Sequence, residues 1–158
     1  MTPFELPSAV AEKLAMASQQ FLTRSEAETS AVGRDLASSL RRGSIVLLYG
    51  DLGAGKTAFV RGLAEGLGAD PLDVSSPTFV LVQEYRGGRL PLIHVDLYRV
   101  NDSREIEDLG LEEIGAEGVL AIEWAEKLPG NAGDATVVCI RHEDGDLRRL
   151  TIDDFQSD

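Results

Sequence analysis

The apolar positions of this chain fall into two patterns. In Ile45-Val46-Leu47-Leu48-Tyr49 and in Val119-Leu120-Ala121-Ile122 they run unbroken, as they do in strands covered on both faces. Between and around these runs they recur at helical spacing. Val10, Leu14 and Ala17 share one face of a helix predicted from Ser8 to Gln20, after which Phe21-Leu22-Thr23 reads as a short strand. Ser25-Glu26-Ala27-Glu28 has capping-box spacing, Val32, Leu36 and Leu40 follow at every fourth position, and Arg41-Arg42-Gly43 ends that helix. Another helix is predicted from Lys56 to Leu67, with Phe59, Val60, Leu63, Ala64 and Leu67 facing inward and Gly68 as its stop.

Further along, Thr78 to Tyr85 and Leu90 to Val95 are strand-like runs joined by Arg86-Gly87-Gly88-Arg89, whose glycine pair suits the positive φ angles of a tight hairpin. Asp102 caps a helix with Glu105 three residues on and Ile106, Leu109 and Leu111 as its apolar members. Val137 to His142 and Leu147 to Ile152 flank Glu143-Asp144-Gly145-Asp146, a second hairpin signal. Strands alternating with helices predict an α/β fold, and 158 residues without internal repeats suit a single core.

Composition narrows the setting. Hydrophobic residues make up 43% and charged residues 27%, as in soluble globular proteins, and no apolar run approaches the ~20 residues that span a bilayer. The start, Met1-Thr2-Pro3-Phe4-Glu5-Leu6-Pro7, lacks the basic and apolar regions of a secretion signal, so a cytoplasmic location and no membrane association are expected. The single cysteine, Cys139, lies in a strand-like run and reads as a small buried hydrophobe. A formal net charge of −12 repels a phosphate backbone, which argues against independent nucleic-acid binding. The same surplus suits a basic protein partner or simply solubility.

The candidate chemistry starts at Gly50-Asp51-Leu52-Gly53-Ala54-Gly55-Lys56-Thr57, which fits the phosphate-loop pattern G-x-x-x-x-G-K-[ST]. A buried strand enters it and a helix leaves it, the context the motif requires. The backbone N–H groups of Asp51, Leu52, Gly53, Ala54 and Gly55 and the positive end of the helix dipole would surround the phosphates of ATP. Lys56 would neutralise the β and γ phosphates, and the Thr57 hydroxyl would ligate Mg²⁺. A magnesium site also needs an acid at the end of a neighbouring strand. Glu123 follows one apolar run and Asp96 follows Leu92-Ile93-His94-Val95; spacing does not rank them, and either also suits a solvated strand end.

Thr78, in Ser75-Ser76-Pro77-Thr78-Phe79, sits where γ-phosphate-sensing switches lie, although the same residues make an ordinary loop entering a strand. His94 alternates with apolar neighbours and reads as a hydrogen-bonded core residue rather than a base. Trp124 either stacks near the site or fills the core.

Taken together, the loop, Ser76-Pro77-Thr78-Phe79, His94-Val95-Asp96-Leu97-Tyr98-Arg99 and Ile122-Glu123-Trp124 resemble the TsaE (YjeE) family, bacterial P-loop ATPases of tRNA threonylcarbamoyladenosine biosynthesis. The resemblance divides the chain into an N-terminal helical extension, 1–21, and one P-loop ATPase domain, 22–158. It implies a P-loop NTPase-like three-layer domain with a central mixed β-sheet, acting with the TsaB and TsaD proteins and not itself the transferase. It further implies that Thr57 and Glu123 bind the metal, that Asp96 is the other motif acid, that Thr78 is switch-like, and that Ser25 and Trp124 lie near the nucleotide.

Other functions fit less well. A small-molecule kinase needs an acceptor pocket and an arginine-rich lid, and no such segment is evident. A GTPase needs an Asn-Lys-x-Asp tetrapeptide, which the chain lacks. A nucleotide-sensing interaction module with incidental hydrolysis shares all the motifs.

Overall fold

The sheet is built outward from β2 (Ile45–Gly50), an apolar strand buried along nearly its whole length. The computed structural model describes residues 8, 10–12, 19–50, 55–70, 82–128 and 135–153. β2 runs parallel to β5 (Val119–Glu123) on one side and to β6 (Thr136–His142) on the other, Val46 pairing with both Ala121 and Thr136. Beyond β5 lies β4 (Leu92–Asp96), also parallel, and then its antiparallel hairpin partner β3 (Val82–Tyr85). Beyond β6 lie β7 (Arg148–Asp153) and β1 (Gln19–Thr23), both antiparallel. Among the described residues this is one mixed sheet in the order β1-β7-β6-β2-β5-β4-β3.

Strand alternation sends β2 side chains to two different cores. Val46 and Leu48 join Val138, Ile140 and two long helices, α1 (Glu26–Ala37) and α2 (Lys56–Leu67). Leu47 and Tyr49 join Ile122, Val137 and Cys139 on the opposite face, under Val100, Ile106 of α3 (Ser103–Asp108) and Ala125 of a 3-10 turn, Ala125–Lys127. Helices on both faces of a mixed sheet give the expected three layers. Cys139 is buried, as its strand setting suggested.

The two long helices touch through their backbones. A Cβ added to Gly62 of α2 would lie 1.8 Å from the carbonyl oxygen of Ser30, and one on Gly33 of α1 would lie 2.3 Å from that of Phe59. At this contact Thr29, Gly33 and Ala37 are the buried residues of α1, while Val32 and Leu36 are partly buried and, as their spacing suggested, pack against the same core. Small side chains let the helices approach, and the larger residues pack at the flanks. The C-terminus of α1 is closed by Arg89, whose Nη2 donates to the carbonyls of Ala37 (2.6 Å) and Leu40 (3.2 Å).

Three further differences from the sequence reading have local causes. Gln19 and Gln20 belong to β1, not to the N-terminal helix, because register pairing with Ile152 and Thr151 outweighs helical periodicity; residues 8 and 10–12 are helical. β1 therefore begins ahead of the boundary drawn at residue 22. The helix expected to include both Ile106 and Leu111 breaks at Gly110, left-handed at φ 62°, and α4 (Leu111–Gly115) starts anew. β4 starts at Leu92, after Pro91, which has no N–H to give a ladder. The strand expected from Thr78 is seen from Val82 onward; residues 78–81 lie outside the described residues.

Candidate nucleotide site at the carboxyl edge of the sheet

Because β2, β4 and β5 are parallel, their carboxyl ends share one edge, the place where open α/β sheets bind ligands. Gly50 ends β2, Asp96 ends β4 and Glu123 ends β5, with Asp96 and Glu123 directly paired in register. Of the phosphate loop, Gly55, Lys56 and Thr57 are described, and Asp51, Leu52, Gly53 and Ala54 lie outside the described residues, as does Thr78.

Gly55 is the N-cap of α2, left-handed at φ 110°, a conformation that a side chain would strain. No side chain caps this helix and its first turn holds no acid, so its terminal N–H groups are not taken up by the helix's own residues. A Cβ on Gly55 would lie 3.6 Å from Thr29 Cγ2 and 4.0 Å from Ile140 Cγ2. Thr29 in turn hydrogen-bonds through its hydroxyl to Thr23 (2.7 Å) in the buried space where β1 meets α1. Ser25 is the N-cap of α1: its Oγ accepts from the Glu28 N–H at 3.1 Å, the serine half of the capping box whose spacing the sequence shows, and donates to the Glu28 carboxylate at 3.4 Å.

Lys56 is buried to 5% exposure. Its ammonium donates to the Gly50 carbonyl at 2.8 Å and lies 3.9 Å from the centroid of the Trp124 ring. A buried ammonium beside a carbonyl and an aromatic face concentrates positive charge, which suits an anion. Trp124 is the one non-glycine among the described residues with positive φ, 59°, a conformation costing about 1–3 kcal/mol and typical of functional sites. Both roles open to Trp124 are visible: it packs partly buried against the core on that face, and its ring meets Lys56 and, at 5.0 Å between centroids, Tyr98.

Glu123 and His94 are buried together, with His94 Nε2 2.5 Å from Glu123 Oε2. Asp96 accepts from the Tyr98 N–H at 2.9 Å. Burial raises the Asp96 carboxyl above its ordinary range; the Tyr98 N–H opposes this, the Glu123 charge adds to it, and His94 and Lys56 pull back down. Tyr49, at the end of β2, is pushed up to about 12 by burial, with the Glu126 charge adding. Thr57 follows Lys56 in the first turn of α2, half-buried; among the described residues no hydrogen bond joins it to either acid.

The structure thus gathers Lys56, Asp96, Glu123 and Trp124, and leaves Ser25 engaged in its helix cap. The sequence reading missed Tyr98, exposed beside Trp124, and Lys127, whose ammonium holds the carbonyls of Tyr98 (2.5 Å) and Val100 (3.0 Å). The signal for Tyr98 was its place in the segment His94 to Arg99 that carries the family resemblance, and nothing local marked Lys127. It foresaw His94 as a bonded core residue but not its partner.

Residues 23–150 match the profile of the family described as Threonylcarbamoyl adenosine biosynthesis protein TsaE. The chain belongs to the TsaE family. It is 43% identical over 129 residues, 78% of each chain, to the tRNA threonylcarbamoyladenosine biosynthesis protein TsaE of Bacillus subtilis. To the protein of the same name from Treponema pallidum it is 41% identical over 117 residues, 73% of this chain and 85% of that one. The crystal structure of Bacillus subtilis YdiB superposes with a TM-score of 0.65 at 33% identity, covering 85% of this chain and 84% of the other. The TsaE family serves tRNA threonylcarbamoyladenosine biosynthesis, and its match begins at Thr23, the last residue of β1. Among the described residues no helix is long and apolar enough to cross a membrane.

Proposed function

We propose that this chain is a Mg²⁺-dependent ATPase of the cytoplasm required for threonylcarbamoyladenosine modification of tRNA, acting with TsaB and TsaD without itself transferring the threonylcarbamoyl group. The observation that supports this most directly is the buried Lys56 ammonium at the uncapped start of α2, beside two paired acids at the ends of β4 and β5. Among the described residues no group of three or more His, Cys, Asp and Glu side chains could hold a metal. Mg²⁺ commonly takes one or two carboxylates and completes its shell with phosphates and water. Thr57 and Glu123 would hold the ion, and bound Mg²⁺ supplies neutralisation of the charge developing on the transferred phosphoryl group.

The chain's own residues do the rest. Lys56 leaves the Gly50 carbonyl and the Trp124 face to meet the triphosphate, and the N-terminus of α2 adds its dipole. Thr78 would sense the γ-phosphate. No in-cis arginine finger is assigned, Arg99 being exposed three residues beyond Asp96, so slow hydrolysis alone and faster hydrolysis with partners is the expectation.

The test is steady-state ADP release by the purified chain, with and without TsaB and TsaD. Release should be low alone, rise with the partners, and stay low for Glu123→Ala in the same mixture. Rapid hydrolysis that the partners leave unchanged would overturn the reading in favour of a self-sufficient ATPase.

A further inference from the structure

We propose that His94 is a positioning residue for Glu123, its Nε2–H holding carboxylate oxygen Oε2 and leaving Oε1 as the oxygen available to the metal. The inference rests on the reading of Glu123 as a Mg²⁺ ligand.

Strand register makes the contact possible. His94 pairs with Ala121, so Glu123, two residues further along β5, lies on the same face and diagonally across from it. Ala121 has no side chain beyond Cβ, which leaves the imidazole room to cross its strand. His94 is fully buried, Glu123 is 3% exposed, and their atoms approach to 2.5 Å. A carboxylate that binds a metal is ionised and only accepts, so in this role Nε2 would carry the proton of the bond.

The other ring nitrogen shows which residue the contact serves. Nδ1 is buried and has no hydrogen-bond partner among the described residues, and Tyr85 stands beside the ring at 6.3 Å between centroids with its plane tilted by 35°. The single polar anchor of His94 is therefore Glu123. Glu123, for its part, faces Asp96 in register, and two carboxylates side by side repel. A donor on Oε2 offsets that repulsion and fixes which way the carboxylate turns. Hydrogen-bonded supports of metal-binding carboxylates are worth about 10–100-fold in metal affinity or activity.

Two variants separate positioning from packing. His94→Leu fills similar space without a donor, and His94→Gln carries an amide N–H in place of Nε2–H. Nucleotide affinity is measured by calorimetry with ADP, with and without Mg²⁺, on the full chain. In His94→Leu the gain in affinity from Mg²⁺ should shrink about 10–100-fold while metal-free affinity holds, and His94→Gln should restore most of it. An independent readout is the imidazole ¹⁵N–¹H spectrum, clean because the chain has two histidines, His94 and His142. The nucleotide-free protein should show a downfield Nε2 proton on His94 that moves upfield in Glu123→Gln.

Wild-type Mg²⁺ dependence in His94→Leu, an equal loss of metal-free affinity, a failed Gln rescue, or a His94 proton indifferent to Glu123→Gln would each overturn the positioning role. A wild-type chain that binds ADP with no Mg²⁺ dependence would overturn the metal reading itself, and this proposal with it.

Discussion

α1 and α2 have the same length, pack against each other through glycines, and begin in opposite ways. α1 starts on Ser25, whose hydroxyl takes the Glu28 N–H, and carries Glu26 and Glu28 in its first turn, where carboxylates complement the helix dipole. α2 starts on a left-handed glycine with no side-chain cap and no acid, followed by a buried lysine and a threonine. One helix satisfies its own N-terminus. The other has no side-chain cap from Gly55, and the buried lysine puts positive charge at that end.

The largest expected effect tests the open end. Lys56→Ala should weaken ATP binding about 10–100-fold, since hydrogen bonds to charged groups contribute about 1.5–3 kcal/mol, with the fold preserved by circular dichroism. Unchanged affinity measured by calorimetry would remove the distinction between the two helices. The shared contact comes next: Gly62→Ala forces a Cβ against the Ser30 carbonyl and should cost about 1–3 kcal/mol in chemical denaturation, destabilising both helices together.

Third is a pH effect on the strand that feeds α2. Tyr49 titrates near 10 when unfolded and is pushed up to about 12 in the fold, so the native state holds its proton longer. The stability this gives is complete below pH 10 and is lost as pH rises toward 12, at no more than about 1.4 kcal/mol per pH unit. Denaturation curves of Tyr49→Phe should fall less steeply across that window than those of the wild type. The smallest effect tests the closed end: Ser25→Ala should cost about 1 kcal/mol of stability and leave ATP affinity alone. A loss of affinity without a loss of stability would move Ser25 from helix cap to nucleotide contact.

Much of this contrast was legible before the fold was seen. The capping box at Ser25, the loop from Gly50 to Thr57 and the unbroken runs ending at Gly50 and Glu123 are local signals, written within a few residues of the structure they specify. Spacing could not rank Asp96 against Glu123 because both end strands that lie side by side, and their pairing depends on register across the sheet. The small buried residues of α1 went unmarked for a related reason. Periodicity marks large apolar residues, whereas Thr29, Gly33 and Ala37 are buried because of what α2 presents opposite them. His94, Tyr98 and Lys127 likewise acquire their meaning from partners about 25–30 positions away, distances no local pattern encodes.

Arg89 closes a ring of chain. By grasping the Ala37 carbonyl from 52 positions away, it ties the end of α1 to the β3–β4 hairpin around the whole stretch that contains β2, the phosphate loop and α2. Closing a loop costs entropy that grows only with the logarithm of its length, so a clasp this distant in sequence is nearly as cheap as a short one. It is slower to reach, because contacts far apart in sequence wait on the search that brings them together. Substituting Arg89 should therefore register first in the rate of unfolding, as a ring that opens sooner.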